Sequence, residues 1–209
     1  MIDTELTVDL KVTVPLRVTD FDRYGRLKPS AVLSLFQEAA TVQVRTWPHS
    51  PSRVSFQRDY IVTSLDGEML LRGTSEWVLM SLETRSFVNL DSVYEPPDYL
   101  LDEKNFAKKP RKIQDFDTAG DKPFVVVPPY TAADINGHVN NTVYADYPFD
   151  AIKPGKDHGI ESFQIDFRHE VRTGEPLCIY TSRGEDVILT KGVDEGGETV
   201  FAARTKFTN

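Results

Sequence analysis

Three polar side chains with chemistry in them fall at alternate positions of one short run. They are Asp134, Asn136 and His138, within Asp134-Ile135-Asn136-Gly137-His138-Val139-Asn140-Asn141. Alternate residues of an extended segment face the same way, so a carboxylate, an amide and an imidazole share one side. A carboxylate can orient or deprotonate water, and an imidazole can pass a proton near neutral pH. An amide can donate to a carbonyl oxygen or hold the other two groups in place. Polar groups this dense are expensive to bury unless they pair with each other or do chemistry. The residues that follow, through Tyr144, read as the start of a helix, whose first N–H groups can receive a polarised oxygen. Asn140 and Asn141 suit helix capping and inter-strand hydrogen bonds better than catalysis.

The elements that must position this run are written twice. Residues 22–32 align without a gap against 134–144, matching Asp22 to Asp134, Gly25 to Gly137 and Leu27 to Val139. Each copy follows a β-like stretch, over 10–19 in the first and 123–130 in the second. Each leads into a helix, clearest over 30–40, where Ala31, Leu35 and Ala39 recur at helical spacing. Alternating strands then follow: 54–63, 69–75 and 77–82 in the first half; 163–167, 177–181, 186–190 and 200–207 in the second. Glycines at 67, 174, 184, 196 and 197 punctuate them as turns. A helix followed by a twisted antiparallel meander predicts a sheet wrapped around the helix. The first half is a strand short, because its helix runs almost directly into residues 42–47. Either that unit is trimmed or the numbered sequence omits residues present in the molecule.

Comparing the copies separates scaffold from chemistry. Asp134 recurs as Asp22, and Asp is common before a helix start, so it has a structural reading beside the catalytic one. Asn136 and His138 do not recur; the first copy has Tyr24 and Arg26 there. The scaffold does not need the amide and the imidazole, which favours function in the second copy.

Composition excludes several classes. The 209 residues, 40% hydrophobic and 27% charged, are those of an ordinary globular protein. A net charge of −8 argues against non-specific nucleic-acid binding. The single cysteine, Cys178, excludes an internal disulfide framework and a multi-cysteine zinc site. No apolar run approaches the roughly 20 residues of a membrane span, and the first residues resemble no signal peptide. A cytoplasmic location is expected. Lys104, Lys108, Lys109, Arg111 and Lys112 form a basic cluster that suits either a solvated linker or a dock for an acidic partner.

The run DxNxHVNNxxY over 134–144, the duplication, and the flanking GRLKPSAVLSLFQEAA, RTWP, GTSEWVLMSLETR and FRHEVRTGE resemble the acyl-acyl carrier protein (acyl-ACP) thioesterases. These enzymes release fatty acids and consist of two fused hot-dog domains. The resemblance implies an α+β chain with an N-terminal hot-dog domain over 1–98, shortened here, that helps form the acyl pocket. A linker over 99–122 and a catalytic hot-dog domain over 123–209 follow. It implies that Asp134, Asn136 and His138 are catalytic and that Glu170, in FRHEV, joins them from a neighbouring strand. It implies acyl carrier protein as partner, no cofactor and no metal; a homodimer is possible. Plant members carry a cysteine after that glutamate; here the position is Val171, so thiol catalysis is not available there.

Thioester hydrolysis needs an activated water or a carboxylate nucleophile, donors for the oxyanion and a dry acyl slot. Glu170 or Asp134 would activate water or attack directly, while His138 and Asn136 hold substrate and water in register. Leu33, Leu35, Phe36, Trp47, Phe56, Trp77 and Leu79 could line an acyl tunnel, although simple core explains most of them. The rival readings are an acyl-coenzyme A thioesterase and a non-catalytic acyl-chain binder.

Overall fold

The computed structural model describes residues 12–13, 27, 31–32, 42–81, 83–84, 86–95, 101, 103–133 and 137–208. Of the helix expected over 30–40, Ala31 and Val32 are described, and both are helical. The rest of that helix, and nearly all of the first copy of the motif, lie outside the described residues. The chain divides into two compact units: Met1–Leu16 with Leu35–Lys109, and Arg17–Ser34 with Pro110–Asn209. The described residues form an α+β architecture of antiparallel sheets with few helices.

The first unit's sheet comprises β1 (Val12–Thr13), β2 (Gln43–Pro48), β3 (Ser55–Thr63) and β4 (Met69–Val78), adjacent in that order. Val44, Tyr60 and Val62 are buried on one face of the sheet and Trp47, opposite Asp59, on the other; Leu90 is buried as well. The sequence predicts separate strands over 69–75 and 77–82, with residue 82 outside the described set. The structure has one strand, because Glu76 keeps its place opposite Gln57 and no turn residue interrupts the ladder. Beyond it the chain folds back at once, with Met80 bridging Phe87.

The second unit's strands are β5 (Phe124–Val126), β6 (Ile160–Phe167), β7 (Leu177–Arg183), β8 (Ile188–Val193) and β9 (Thr199–Phe207). Their spatial order is β5-β7-β8-β9-β6. Between β5 and β6 in the chain lie helices α1 (Asn141–Tyr144) and α2 (Asp146–Ile152). Lys153, in the left-handed region at φ 50°, ends α2, and the Arg183 guanidinium donates to the Ile152 carbonyl at 3.0 Å. Tyr144, Tyr147, Val171, Leu177, Ile179, Val200, Phe201 and Ala203 form the core. Phe201 is wholly buried, and burying such a ring contributes about 1.5–3 kcal/mol.

Matched strand for strand, β1 corresponds to β5, β2 to β7, β3 to β8 and β4 to β9. β6 has no counterpart among the described residues of the first unit. The segment 103–116 is anchored on either side of the division at Lys109. In the first unit the Trp47 indole donates to the Glu103 carbonyl at 2.8 Å, and the Arg45 fork grips the Glu103 carboxylate at 3.0 and 2.7 Å. In the second, Arg168 donates to Asp115 at 2.8 Å and to the Ile113 carbonyl at 2.7 Å. The Ile113 N–H donates to Asp166 at 2.7 Å. Burial pushes the Asp115 carboxyl up, but the Arg168 hydrogen bond and the nearby Arg168 and Lys191 charges hold it below its ordinary range.

Candidate active site

Of the second copy of the motif, residues 137–140 are held by pairing on both sides. Gly137, at φ 77°, sits in the left-handed region that a side chain disfavours. Val139 then bridges Ala133, and His138 bridges Arg172. The Val139 N–H donates to the Val171 carbonyl at 2.8 Å, and the Asn140 N–H donates to the Ala132 carbonyl at 2.9 Å. The segment is therefore zipped on both edges. Alternation buries Val139 and leaves His138 half-buried on the other side.

The same alternation acts across the ladder. Val171 turns into the core, so its neighbours Glu170 and Arg172 turn out. This brings the Glu170 carboxylate to 3.6 Å from His138 Nε2. That is longer than a direct hydrogen bond and within ion-pair range. The imidazole side chain is 24% exposed and the carboxylate side chain 48%, so both remain reachable by a substrate.

Helix α1 locks this arrangement. Asn140 caps it: its side-chain oxygen accepts the Thr142 N–H and the Thr142 hydroxyl, each at 2.9 Å. This is the capping role expected of it. One turn later, the buried Tyr144 hydroxyl accepts the Val171 N–H at 3.1 Å. Its ring meets Tyr147, Phe167 and Phe201 edge-on, with centroids 5.8–5.9 Å away. Tyr144 thus ties the helix to the peptide that carries Glu170. Sequence reasoning noted this tyrosine without giving it a job. The available signal was its polar tip, since a buried tyrosine hydroxyl needs a partner.

Of the four residues expected at the site, the structure brings His138 and Glu170 together. Asp134 and Asn136 lie outside the described residues. His169, next to Glu170, instead faces Glu198 at 3.7 Å. Among the described residues no group of three or more His, Cys, Asp and Glu could hold a metal ion. No described helix is long and apolar enough to cross a membrane. The paired groups can do proton transfer: a carboxylate able to draw a proton from water, beside an imidazole able to return one.

Comparisons with known proteins bear on both units. Residues 31–95 match the acyl-ACP thioesterase N-terminal domain, and residues 121–209 match the acyl-ACP thioesterase C-terminal domain. An oleoyl-acyl carrier protein thioesterase of Coriandrum sativum is 27% identical over 183 residues, covering 79% of this chain and 48% of that protein. A dodecanoyl-[acyl-carrier-protein] hydrolase of Cinnamomum camphora is 30% identical, covering 80% of this chain and 47% of that protein. The chain thus spans about half the length of the curated relatives it matches. Among solved structures, an acyl-ACP thioesterase of Bacteroides thetaiotaomicron superposes with a TM-score of 0.79 at 19% identity, covering 96% of this chain and 97% of that one. The 12:0-ACP thioesterase of Umbellularia californica also gives 0.79, at 22% identity, with the same coverage. These two share the fold. With both of its domain models matched in order along one chain, this protein belongs to the acyl-ACP thioesterase family.

Proposed function

We propose that this chain hydrolyses the thioester of a fatty acyl group carried on acyl carrier protein, releasing the free acid and ending elongation. The observation that carries the reading is the His138–Glu170 pair at 3.6 Å, set on the motif that the family resemblance singles out. Glu170 draws a proton from a water whose oxygen attacks the thioester carbonyl carbon. The carbon–sulfur bond then breaks, and the departing thiolate collects a proton through His138. Asn136 donates to the carbonyl oxygen as negative charge develops there, and Asp134 orients the water. These steps use side chains and water alone.

In the same reading, 1–98 and 123–209 are two hot-dog domains joined by 99–122, and the first is a strand short. The protein acts in the cytoplasm on soluble acyl carriers. The relatives' names support the carrier, since each names an acyl-carrier-protein thioester as its substrate. The test is a product profile on acyl carrier proteins of graded chain length, with acyl-coenzyme A of one matching chain. Free acid from the carrier-protein substrate is expected, with turnover lowered about 10²–10⁴-fold in Glu170→Gln and His138→Ala. Faster release from the coenzyme A ester would favour that carrier instead. Acyl-ACP recovered uncleaved after long incubation would leave an acyl-chain binder.

A further inference from the structure

One face of the first unit's sheet carries Trp47, Asp59 and Thr74, and the segment 103–109 lies over it. Trp47 pairs with Asp59 across β2 and β3, and Asp59 with Thr74 across β3 and β4, so their side chains share that face. The Asn105 N–H donates to Asp59 Oδ2 at 2.6 Å, and Lys109 donates to Glu76 at 2.8 Å, which clasps the segment to the strands. Beneath it is a cavity of about 80 Å³, floored by His49, Gln57, Asp59 and Thr74, with the exposed Lys104 and Lys109 at its mouth. All of these residues belong to the first unit. The floor leaves polar groups unmet. His49 is 6% exposed and Asp59 1%. His49 Nε2 lies 3.2 Å from Asp59 Oδ2, yet neither ring nitrogen completes a hydrogen bond among the described residues. A buried imidazole in that state is costly unless something in the cavity meets it. The Gln57 amide reaches Thr74 Oγ1 at 3.5 Å and the Thr74 hydroxyl reaches the Arg58 carbonyl at 3.4 Å, both long enough to yield to a better partner.

We propose that this cavity binds a small oxyanion, a carboxylate or a phosphate, taken up together with a proton on His49. The space exceeds the about 10–15 Å³ that one water needs and falls far below the roughly 300–1,000 Å³ of sites for larger organic ligands. Two ammonium groups at the mouth repel a cation. An apolar guest would strip water from the polar floor and return no hydrogen bond. An anion meets donors instead. An imidazolium donates from both nitrogens, so His49 can hold Asp59 with one and the guest with the other. The charges around the cavity are Asp59, Lys104, Lys109 and, bound to Lys109, Glu76. Asp59 balances the imidazolium and Glu76 balances Lys109. Lys104 makes no ion pair among the described residues and is left to balance one negative charge on the guest. Charge-assisted bonds of this kind are the strong ones. The bound anion would join Lys104 on the overlying segment to His49 on the sheet and so tighten the clasp.

Isothermal titration of the whole chain with acetate and, separately, with inorganic phosphate tests this, at an ionic strength held constant with sodium chloride. One anion should bind per chain, and the heat should vary with the ionisation enthalpy of the buffer because a proton enters as well. Acetate keeps its charge between about pH 6 and pH 8, so a fall in its affinity across that range reports the proton on His49. Uptake of acetate assigns a carboxylate guest; uptake of phosphate alone assigns a phosphate. Exchange of the Asn105 amide should slow when the anion is bound. Lys104→Met, at the exposed mouth, should keep the fold and raise the Kd at least tenfold, while Lys108→Met, outside the lining, should leave it unchanged. His49→Gln should remove the proton uptake. No saturable binding of either anion would overturn the proposal. So would binding without proton uptake in the wild type, or binding indifferent to Lys104→Met, which would mark an adventitious ion only.

Discussion

Replacing Tyr144 by Phe tests whether the tyrosine positions Glu170. The ring stays, and with it the edge contacts to Tyr147, Phe167 and Phe201. What is lost is the oxygen that accepts the Val171 N–H at 3.1 Å in a buried setting. A buried donor stripped of its acceptor costs about 1–3 kcal/mol. For a chain of this length each kcal/mol moves Tm by about 2–4 °C, so a loss near 2 kcal/mol lowers Tm by about 4–8 °C. The activity effect has a different signature. Val171 is the residue after Glu170, so releasing its peptide loosens the carboxylate against His138. kcat should fall by about tenfold or more while KM changes little, because what is disturbed is the carboxylate's position in the chemical step. Differential scanning calorimetry gives the first quantity and steady-state hydrolysis of acyl-ACP the second. A Tm within 1 °C of wild type together with an unchanged kcat would refute the positioning argument.

Other perturbations probe the frame around the site. Gly192→Ala would drive a methyl group into the Phe201 ring, overlapping Cε1 and reaching Cδ1 at 2.8 Å, in the packed core and should destabilise by about 1–3 kcal/mol in urea unfolding. Asn140→Ala removes the cap of α1 and should cost about 1 kcal/mol, read by the same assay. The Lys109 hydrogen bond, followed by that from Ser55, holds the Glu76 carboxyl below its ordinary 4.5. Because its folded value is depressed, its stabilising contribution is present above about pH 4.5 and is lost as pH falls through the folded value. Lys109→Met should therefore flatten the acid limb of the stability profile; an identical profile would refute the pairing.

Much of this was legible in the residues because it rests on local rules. The period-two runs became strands, and the polar run at 134–144 led into a capped helix. Less local features escaped. Ser75-Glu76 resembled a break between two strands, and only the partner strand, with Gln57 opposite Glu76, makes it continuous. The basic stretch from Lys104 suited a solvated linker or a dock, and nothing in it showed that the chain on either side is anchored. Its anchors are side chains far away in sequence: Arg45 and Trp47 for Glu103, and Arg168 for Asp115. Nothing near Glu170 marked it as His138's neighbour without the family resemblance. Its place is decided by which of two adjacent residues the core accepts, and Val171 is the one buried.

That burial has a chemical consequence for how the protein can be poisoned. A cysteine at 171 would point into apolar packing, where a thiol ionises poorly and reacts slowly. A sulfur nucleophile is thus unavailable at this position even by substitution. The one cysteine, Cys178, is half-buried on β7. The proposed hydrolysis through His138 and Glu170 uses oxygen and nitrogen groups, so iodoacetamide or dilute peroxide should leave turnover standing. The same single thiol offers a unique attachment point for a reporter dye outside the reacting groups.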